Sequence, residues 1–197
     1  MILGALRTAV ALLITAGASV AAVLVASLGS GEAAASGIMR WWGKVFIRIG
    51  GWSVQVEGME NLPPGGAVLV SNHQSLVDIP LLLSAFPRPV RFLAKRELGD
   101  VFLFGKAMAA AGNLFIDRDD PRDAIHMLRN ASARLSAGQL LVVFPEGRRS
   151  LDGTIGDFKP GAFYLARKAG TPVVPMYIAG RLRTGSRPSR TSIELAS

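Results

Sequence analysis

Hydrophobic positions change their period twice along this chain. From residue 8 to residue 31 no side chain is charged, and TAVALLITAGASVAAVLVASLGSG is apolar on every side. A helix of about 20 such residues can cross a bilayer. The run is rich in Ala and Gly, so its hydrophobicity is moderate. A spanning helix and a hairpin dipping into one leaflet both fit it. A cleaved signal peptide fits less well, because signal cores run to about 7–15 residues.

The next stretch, IMRWWGKVFIRIGG, begins at Ile38 and has helical period. Arg40, Lys44 and Arg48 recur every four residues and so share one face, while Ile38, Trp41, Trp42, Val45, Phe46 and Ile49 fill the other. A basic stripe opposite Trp and Phe suits an interfacial helix on anionic lipid. An amphipathic helix packed on the domain would share the pattern; the adjoining apolar run favours the membrane. The positive charges favour the cytoplasmic face for whatever follows. Residues 1–50 are thus expected to form a membrane anchor with an interfacial helix, and residues 51–197 a globular domain.

After Gly51 the period shortens. WSVQVEG alternates like a strand, and NLPPGG is a turn cluster. AVLVS, PVRFLAK, NLFIDR, QLLVVFPEG and TPVVPMYIAG read as further strands, and TSIELAS as the start of another. Between them lie helices: IPLLLSAF with Pro80 in its first turn, LGDVFLFGKAMAAAG as an apolar buried helix, PRDAIHMLRNASARLSAG from Pro121 to Gly138, and GAFYLARKAG. Alternating strands and helices predict an α/β domain, with a mostly parallel central sheet flanked by helices.

Composition narrows the chemistry. Lys and Arg number 22 against 14 Asp and Glu, a net charge of +8 that favours an anionic partner. There is no cysteine, which excludes disulfides, thiol nucleophiles and thiolate metal sites; with two histidines, a zinc site would need unusual ligands. GDVFLFGKA fails as a phosphate-binding P-loop, because its glycine spacing is one residue too long and Ala107 replaces Ser or Thr. Neither G-x-S-x-G nor a G-x-G-x-x-G after a strand occurs. The basic residues lack the interleaved aromatics of a single-strand nucleic-acid surface, so no nucleic-acid partner is expected. No metal or cofactor is expected either.

Ligands of such sheets gather beyond the carboxyl ends of strands. Three loops in that position are polar: NHQSLVD, DRDDP and PEGRRS. In the first, His73 and Asp78 stand five residues apart. On a straight helix they would diverge by about 500° of turn. Pro80 starts the helix near Ile79 and leaves residues 72–78 free to curl, which lets the Asp78 carboxylate hold His73 Nδ1–H. Alternatively, SLVD spells a capping box and Asp78 only caps the helix. Gly147 lets backbone approach a ligand, Arg149 and Arg118 offer bidentate contacts to phosphate, and Lys159 precedes a helix start that favours anions. Exposed polar turns and surface ion pairs explain the same residues without a ligand.

Four blocks in order resemble the 1-acylglycerol-3-phosphate acyltransferase family. They are NHQSLVD, GNLFIDR from Gly112 to Arg118, FPEGRRS, and VVPM with Pro175. FLAKREL and FKPGAFYLA also look familial, and the likeness covers residues 54 to 178. The resemblance implies a glycerolipid acyltransferase-like fold for residues 51–197 and acyl transfer from a thioester to a lipid hydroxyl. It assigns His73 as general base and Asp78 as its orienting partner. Arg118, Arg149 and Lys159 become candidates for the acceptor phosphate. Glu146, Gly147 and Ser150 of the third block become acceptor-positioning residues, and Pro175 an acyl-chain or structural residue. The helix over residues 101–111 would border an acyl channel or be plain core. The implied partners are membrane phospholipid, a lysophospholipid acceptor, and an acyl-CoA or acyl carrier protein donor. Arg148 stands where the family has Thr, which puts the acceptor headgroup in question; lyso-ornithine lipid and lysocardiolipin are the alternatives. The chain ends soon after the fourth block, where relatives continue, so C-terminal truncation is expected. A membrane-anchored lipid-binding protein without catalysis is the reading from another class, and the intact His–Asp pair argues against it.

Overall fold

The computed structural model describes residues 2–29, 31–117, 120–150, 153–179 and 190–196. The apolar run forms one helix, α1 (Ile2–Ser27). Its stretch Gly4–Ser27 is long and apolar enough to cross a membrane by length and composition, and only 17% buried. Leu12, Leu13, Val20 and Leu24 point away from the protein, while the small side chains Ala18, Ser19 and Ala22 are buried. They pack beside α2 (Gly31–Gly50), where Trp42 Nε1 donates to Thr15 Oγ1 at 2.9 Å.

The basic residues of α2 do not share one free face. Lys44 and Arg48 are exposed beside Trp41. Arg40 turns inward and donates from Nη2 to the Phe86 carbonyl at 2.9 Å, at the end of α3 (Asp78–Ala85). A helix end leaves carbonyls without intrahelical donors, and this one recruits Arg40. α2 lies close on α3: a Cβ on Gly43 would stand 2.8 Å from the Pro80 carbonyl oxygen.

The strands are β1 (Ser53–Glu57), β2 (Ala67–Ser71), β3 (Val90–Lys95), β4 (Leu114–Ile116), β5 (Leu140–Val143), β6 (Val173–Ala179) and β7 (Arg190–Leu195). They form one sheet in the order β1-β7-β6-β2-β5-β3-β4. Strands β6, β2, β5, β3 and β4 run parallel; β7 is antiparallel to β6 and parallel to β1. β2 and β5 are buried throughout, as near-continuous apolar runs predict for strands covered on both faces. On one face lie α1, α2, α3 and α5 (Phe104–Ala110), with Leu69, Phe92 and Val142 beneath them. On the other, α6 (Pro121–Ser136) and α7 (Gly161–Ala169) cover Val68, Val70 and Val143. Asp120 caps α6, its Oδ1 accepting the Arg122 N–H at 2.8 Å.

Residues 98–111 depart from the expected single buried helix. They divide into the end of α4 (Arg96–Gly99), an exposed turn, and α5. Gly105 allows the sharp return, since a Cβ there would meet the Gly99 carbonyl oxygen at 2.0 Å. Val101 and Phe102 are left in solvent.

Arg91, the second residue of β3, is 5% exposed. Its Nε and Nη2 donate to Glu32 Oε1 of α2 at 3.3 and 3.0 Å, and Nη1 donates to Ser36 Oγ at 2.6 Å. Arg134 of α6 donates to both Glu32 oxygens at 2.9 and 2.8 Å. Burial alone would raise the Glu32 carboxyl, but hydrogen bonds and charge from Arg134 and Arg91 hold it below its ordinary value. Burial pushes the Arg91 guanidinium down, and Glu32 partly restores it. Gly112 makes room for the carboxylate: its φ is +84°, and a Cβ would lie 2.3 Å from Glu32 Cδ. This cluster locks α2 onto β3 and α6.

Candidate active site

The carboxyl ends of β2 and β5 lie side by side, and the loops leaving them build the site. Asn72 fixes the first loop: its Oδ1 accepts the Ile178 N–H at 2.8 Å, and its Nδ2 donates to the Ile178 carbonyl at 3.1 Å. His73 follows, its ring stacked on Phe144 with centroids 4.0 Å apart and planes 16° apart. The loop then curls. Asp78 Oδ2 stands 2.8 Å from His73 Nδ1 and also accepts the N–H groups of Gln74 and Ser75 at 2.8 and 2.9 Å.

Asp78 combines features of both readings: the same oxygen faces His73 and ties down the backbone where the helix starts. It occupies the first turn of α3, but the helix has no side-chain cap hydrogen bond and its N-cap is Val77. SLVD makes half of a capping box: the Asp78 carboxylate accepts the Ser75 N–H, while Ser75 Oγ accepts the Val77 N–H at 3.2 Å rather than that of Asp78. Asp78 is 1% exposed and holds the loop in its curl. With Nδ1–H donated to the carboxylate, Nε2 is the acceptor nitrogen. Among the described residues Nε2 has no hydrogen-bond partner, and the His73 side chain remains 15% exposed.

The second loop closes over the first. Glu146 Oε1 accepts the His73 N–H at 2.8 Å, and Oε2 accepts the Gly156 N–H at 3.1 Å. Both oxygens therefore tie loops together. Ser150 N–H donates to the His73 carbonyl at 2.8 Å, and Ser150 Oγ accepts the Gly153 N–H at 2.9 Å. Gly147 turns the chain with φ 74°.

A cavity of about 410 Å³ opens beside this pair. Phe92, Leu98, Val101, Met108 and Phe144 give it apolar walls beside His73, and Lys95, Glu97, Arg148 and Arg149 give it a charged side, with Gly147 also lining it. Arg149 thus shares a cavity with His73, and so does Arg148. Arg118 lies outside the described residues. Lys159 is exposed and does not line the cavity; its N–H donates to the Pro145 carbonyl at 2.9 Å. Pro175 sits in β6 opposite Val70, away from the cavity lining.

Lys95 and Phe144 stand in the stretches FLAKREL and FPEGRRS, but sequence reasoning gives neither a role in the site. Lys95 ends β3 and ion-pairs with Glu97 at the cavity. It stands at the carboxyl end of a predicted strand, the criterion that selected the other loops. Phe144 opens the FPEGRRS block, but a Phe closing an apolar strand reads as core.

A family model described as Acyltransferase matches residues 53–179. The chain is 40% identical over 131 residues to the chloroplastic 1-acyl-sn-glycerol-3-phosphate acyltransferase LPAT1 of Arabidopsis thaliana, covering 66% of this chain and 36% of that one. It is 38% identical over 143 residues to a probable 1-acyl-sn-glycerol-3-phosphate acyltransferase of Mycoplasma pneumoniae, covering 70% and 53%. To human 1-acyl-sn-glycerol-3-phosphate acyltransferase alpha it is 39% identical over 131 residues, covering 66% and 46%. The chain therefore spans between 36% and 53% of the length of these relatives. Its fold is similar to the crystal structure of the 1-acyl-sn-glycerophosphate acyltransferase PlsC of Thermotoga maritima, with TM-score 0.65 and 28% identity, over 82% of this chain and 67% of that one.

Proposed function

Because the chain belongs to the acyltransferase family, we propose that it transfers an acyl group from a thioester to the free hydroxyl of 1-acylglycerol-3-phosphate, giving phosphatidic acid. The observation that carries this reading is the His73–Asp78 pair beside a cavity that also holds Arg148 and Arg149.

An alcohol is a weak nucleophile at neutral pH and needs a base as it attacks. Asp78 keeps Nδ1–H directed at itself, so His73 Nε2 takes the hydroxyl proton. The hydroxyl oxygen bonds to the thioester carbonyl carbon, the carbon–sulfur bond breaks, and the thiolate recovers the proton from the imidazolium. No acyl-enzyme forms. Arg149 and Arg148 clamp the phosphate, with Arg118 joining them by its place in the family motif. Gly147 lets the glycerol lie close to backbone, and Glu146 and Ser150 fix the loops around His73. The donor is acyl-CoA or an acyl carrier protein. α1 and the exposed Trp41, Lys44 and Arg48 hold the domain on the cytoplasmic face of the membrane, where acceptor and product both reside.

The test is purified protein in anionic vesicles with lysophosphatidic acid and acyl-CoA, read by mass spectrometry. Saturable formation of phosphatidic acid is expected. Transfer to a monoacylglycerol, which lacks the phosphate, should be about 10²-fold slower or worse, because the clamp loses its ligand. Faster transfer to a different lysolipid would move the acceptor assignment and keep the chemistry. No transfer to any lysolipid, with lipid binding intact, would leave a lipid-binding protein.

A further inference from the structure

The turn between α4 and α5 holds an aromatic ring out of the protein. Phe102 is 89% exposed and Val101 46%. Leu103 adopts φ 64° and ψ −48°, making it the one non-glycine residue with positive φ among those described. The Phe104 N–H donates to the Phe102 carbonyl at 2.7 Å. This is a γ-turn of the rare, positive-φ hand, and it is strained for a side chain as large as leucine. Strain of this kind persists only where the surroundings impose it. Here Phe104 is pinned edge-on against Trp42, with centroids 5.9 Å apart, and Gly105 packs on the backbone of Gly99. A phenylalanine presented to water gains nothing from such an arrangement.

The surroundings indicate what receives it. Trp42, which contacts Phe104, also donates to Thr15 near the middle of α1. The turn therefore lies beside the midsection of the apolar helix, whose outer side carries exposed Leu12, Leu13 and Val20. Lys106 is exposed on the first turn of α5, suited to an anionic headgroup. Val101, the neighbour of Phe102, lines the cavity that holds His73. An apolar tip, a basic residue and an adjoining membrane-length helix together fit a lipid leaflet.

We propose that Phe102 inserts into the same leaflet that receives α1, seating the cavity mouth on the membrane so that a lipid acceptor enters without crossing water. This rests on the membrane association above, and adds a second, catalytic-domain contact to it.

The chain has no cysteine, so single labels are clean. Phe102→Cys, Leu13→Cys and Glu57→Cys, all at exposed positions, are each labelled with an environment-sensitive fluorophore and mixed with anionic vesicles. Labels at 102 and 13 should shift to the blue, brighten, and be quenched by spin-labelled lipid, while the label at 57 on β1 stays water-like. Response at 13 but not at 102 would overturn this inference alone; response at neither would overturn the membrane reading with it. A shift at 102 that tracks protein concentration without lipid would assign the ring to a second copy and overturn the proposal. Independently, Phe102→Ser should raise KM for vesicle-borne acceptor roughly 3–10-fold, leaving kcat and the KM for a water-soluble short-chain acceptor unchanged. An unchanged vesicle KM would also overturn it.

Discussion

At Asp78 one carboxylate oxygen takes His73 and two backbone N–H groups, all within five residues of chain. At Glu32 a carboxylate takes two arginines that lie 59 and 102 residues away. The first cluster leaves a ring nitrogen without a partner among the described residues, beside a cavity. In the second, Glu32, Ser36 and the Val90 carbonyl together engage every nitrogen of Arg91. Chemistry needs a group with spare capacity in reach of a ligand, whereas a joint between elements needs every polar atom engaged. A buried charge alone does not distinguish a site from a joint; the open nitrogen does.

The comparison breaks most sharply at Asp78→Asn. The amide oxygen can still accept the Gln74 and Ser75 N–H groups, so the loop should keep its curl. The negative charge that stabilises an imidazolium is lost. Turnover should fall roughly 10²–10⁴-fold, the usual contribution of a general base, while Tm barely moves. His73→Ala should be at least as damaging. Acyl-transfer rate and Tm are measured for all three proteins. Normal turnover in Asp78→Asn with His73→Ala inactive would discard the pair and keep the base; normal turnover in both would sink the mechanism.

Glu32→Gln should behave in the opposite way. It leaves Arg91 buried without a counter-charge, a change that is costly in a closed interior. Glu32 keeps 34% of its side chain exposed, so water softens the effect to about 1–3 kcal/mol. That corresponds to a fall in Tm of about 3–10 °C, with kcat within about threefold of wild type because no group at the cavity changes. A loss of turnover larger than the loss of stability explains would show that the joint also sets the geometry of β3 at Lys95.

These two clusters were unequally legible. The His73 loop was readable because its parts are neighbours, and Pro80 marks where the helix starts. Strands β2 and β5 were readable because doubly covered strands are apolar throughout. Arg91 gave no local sign of its partner, since Glu32 belongs to a helix far upstream. Arg40 was assigned outward on periodicity alone; the uncapped carbonyl of Phe86 that draws it in is a tertiary feature. Residues 98–112 read as one helix because Leu, Met, Lys and Ala favour it. The break comes from the Gly105–Gly99 approach and the strained Leu103, which propensity does not encode. Gly112 was seen only as part of a motif; the carboxylate it accommodates came from the structure.

The smallest expected effect is also the most selective for the Glu32 joint. Its carboxyl titrates below its ordinary value in the folded protein, because Arg134 and Arg91 outweigh burial. A carboxyl depressed by folding contributes stability that is complete above its unfolded pKa, about 4.3, and is lost as pH falls through the folded value. Wild type should therefore lose stability faster than Glu32→Gln below about pH 4.5, and the Tm difference between them should shrink toward acid. Asp123, held low by the hydrogen bond from Arg96, adds a slope of the same sign, but it does so in both proteins and cancels in the difference. The measurement is Tm for the pair from pH 7 to pH 3. A difference that stays constant across that range would mean that Glu32 acts through shape and hydrogen bonding, and that its charge adds nothing to the joint.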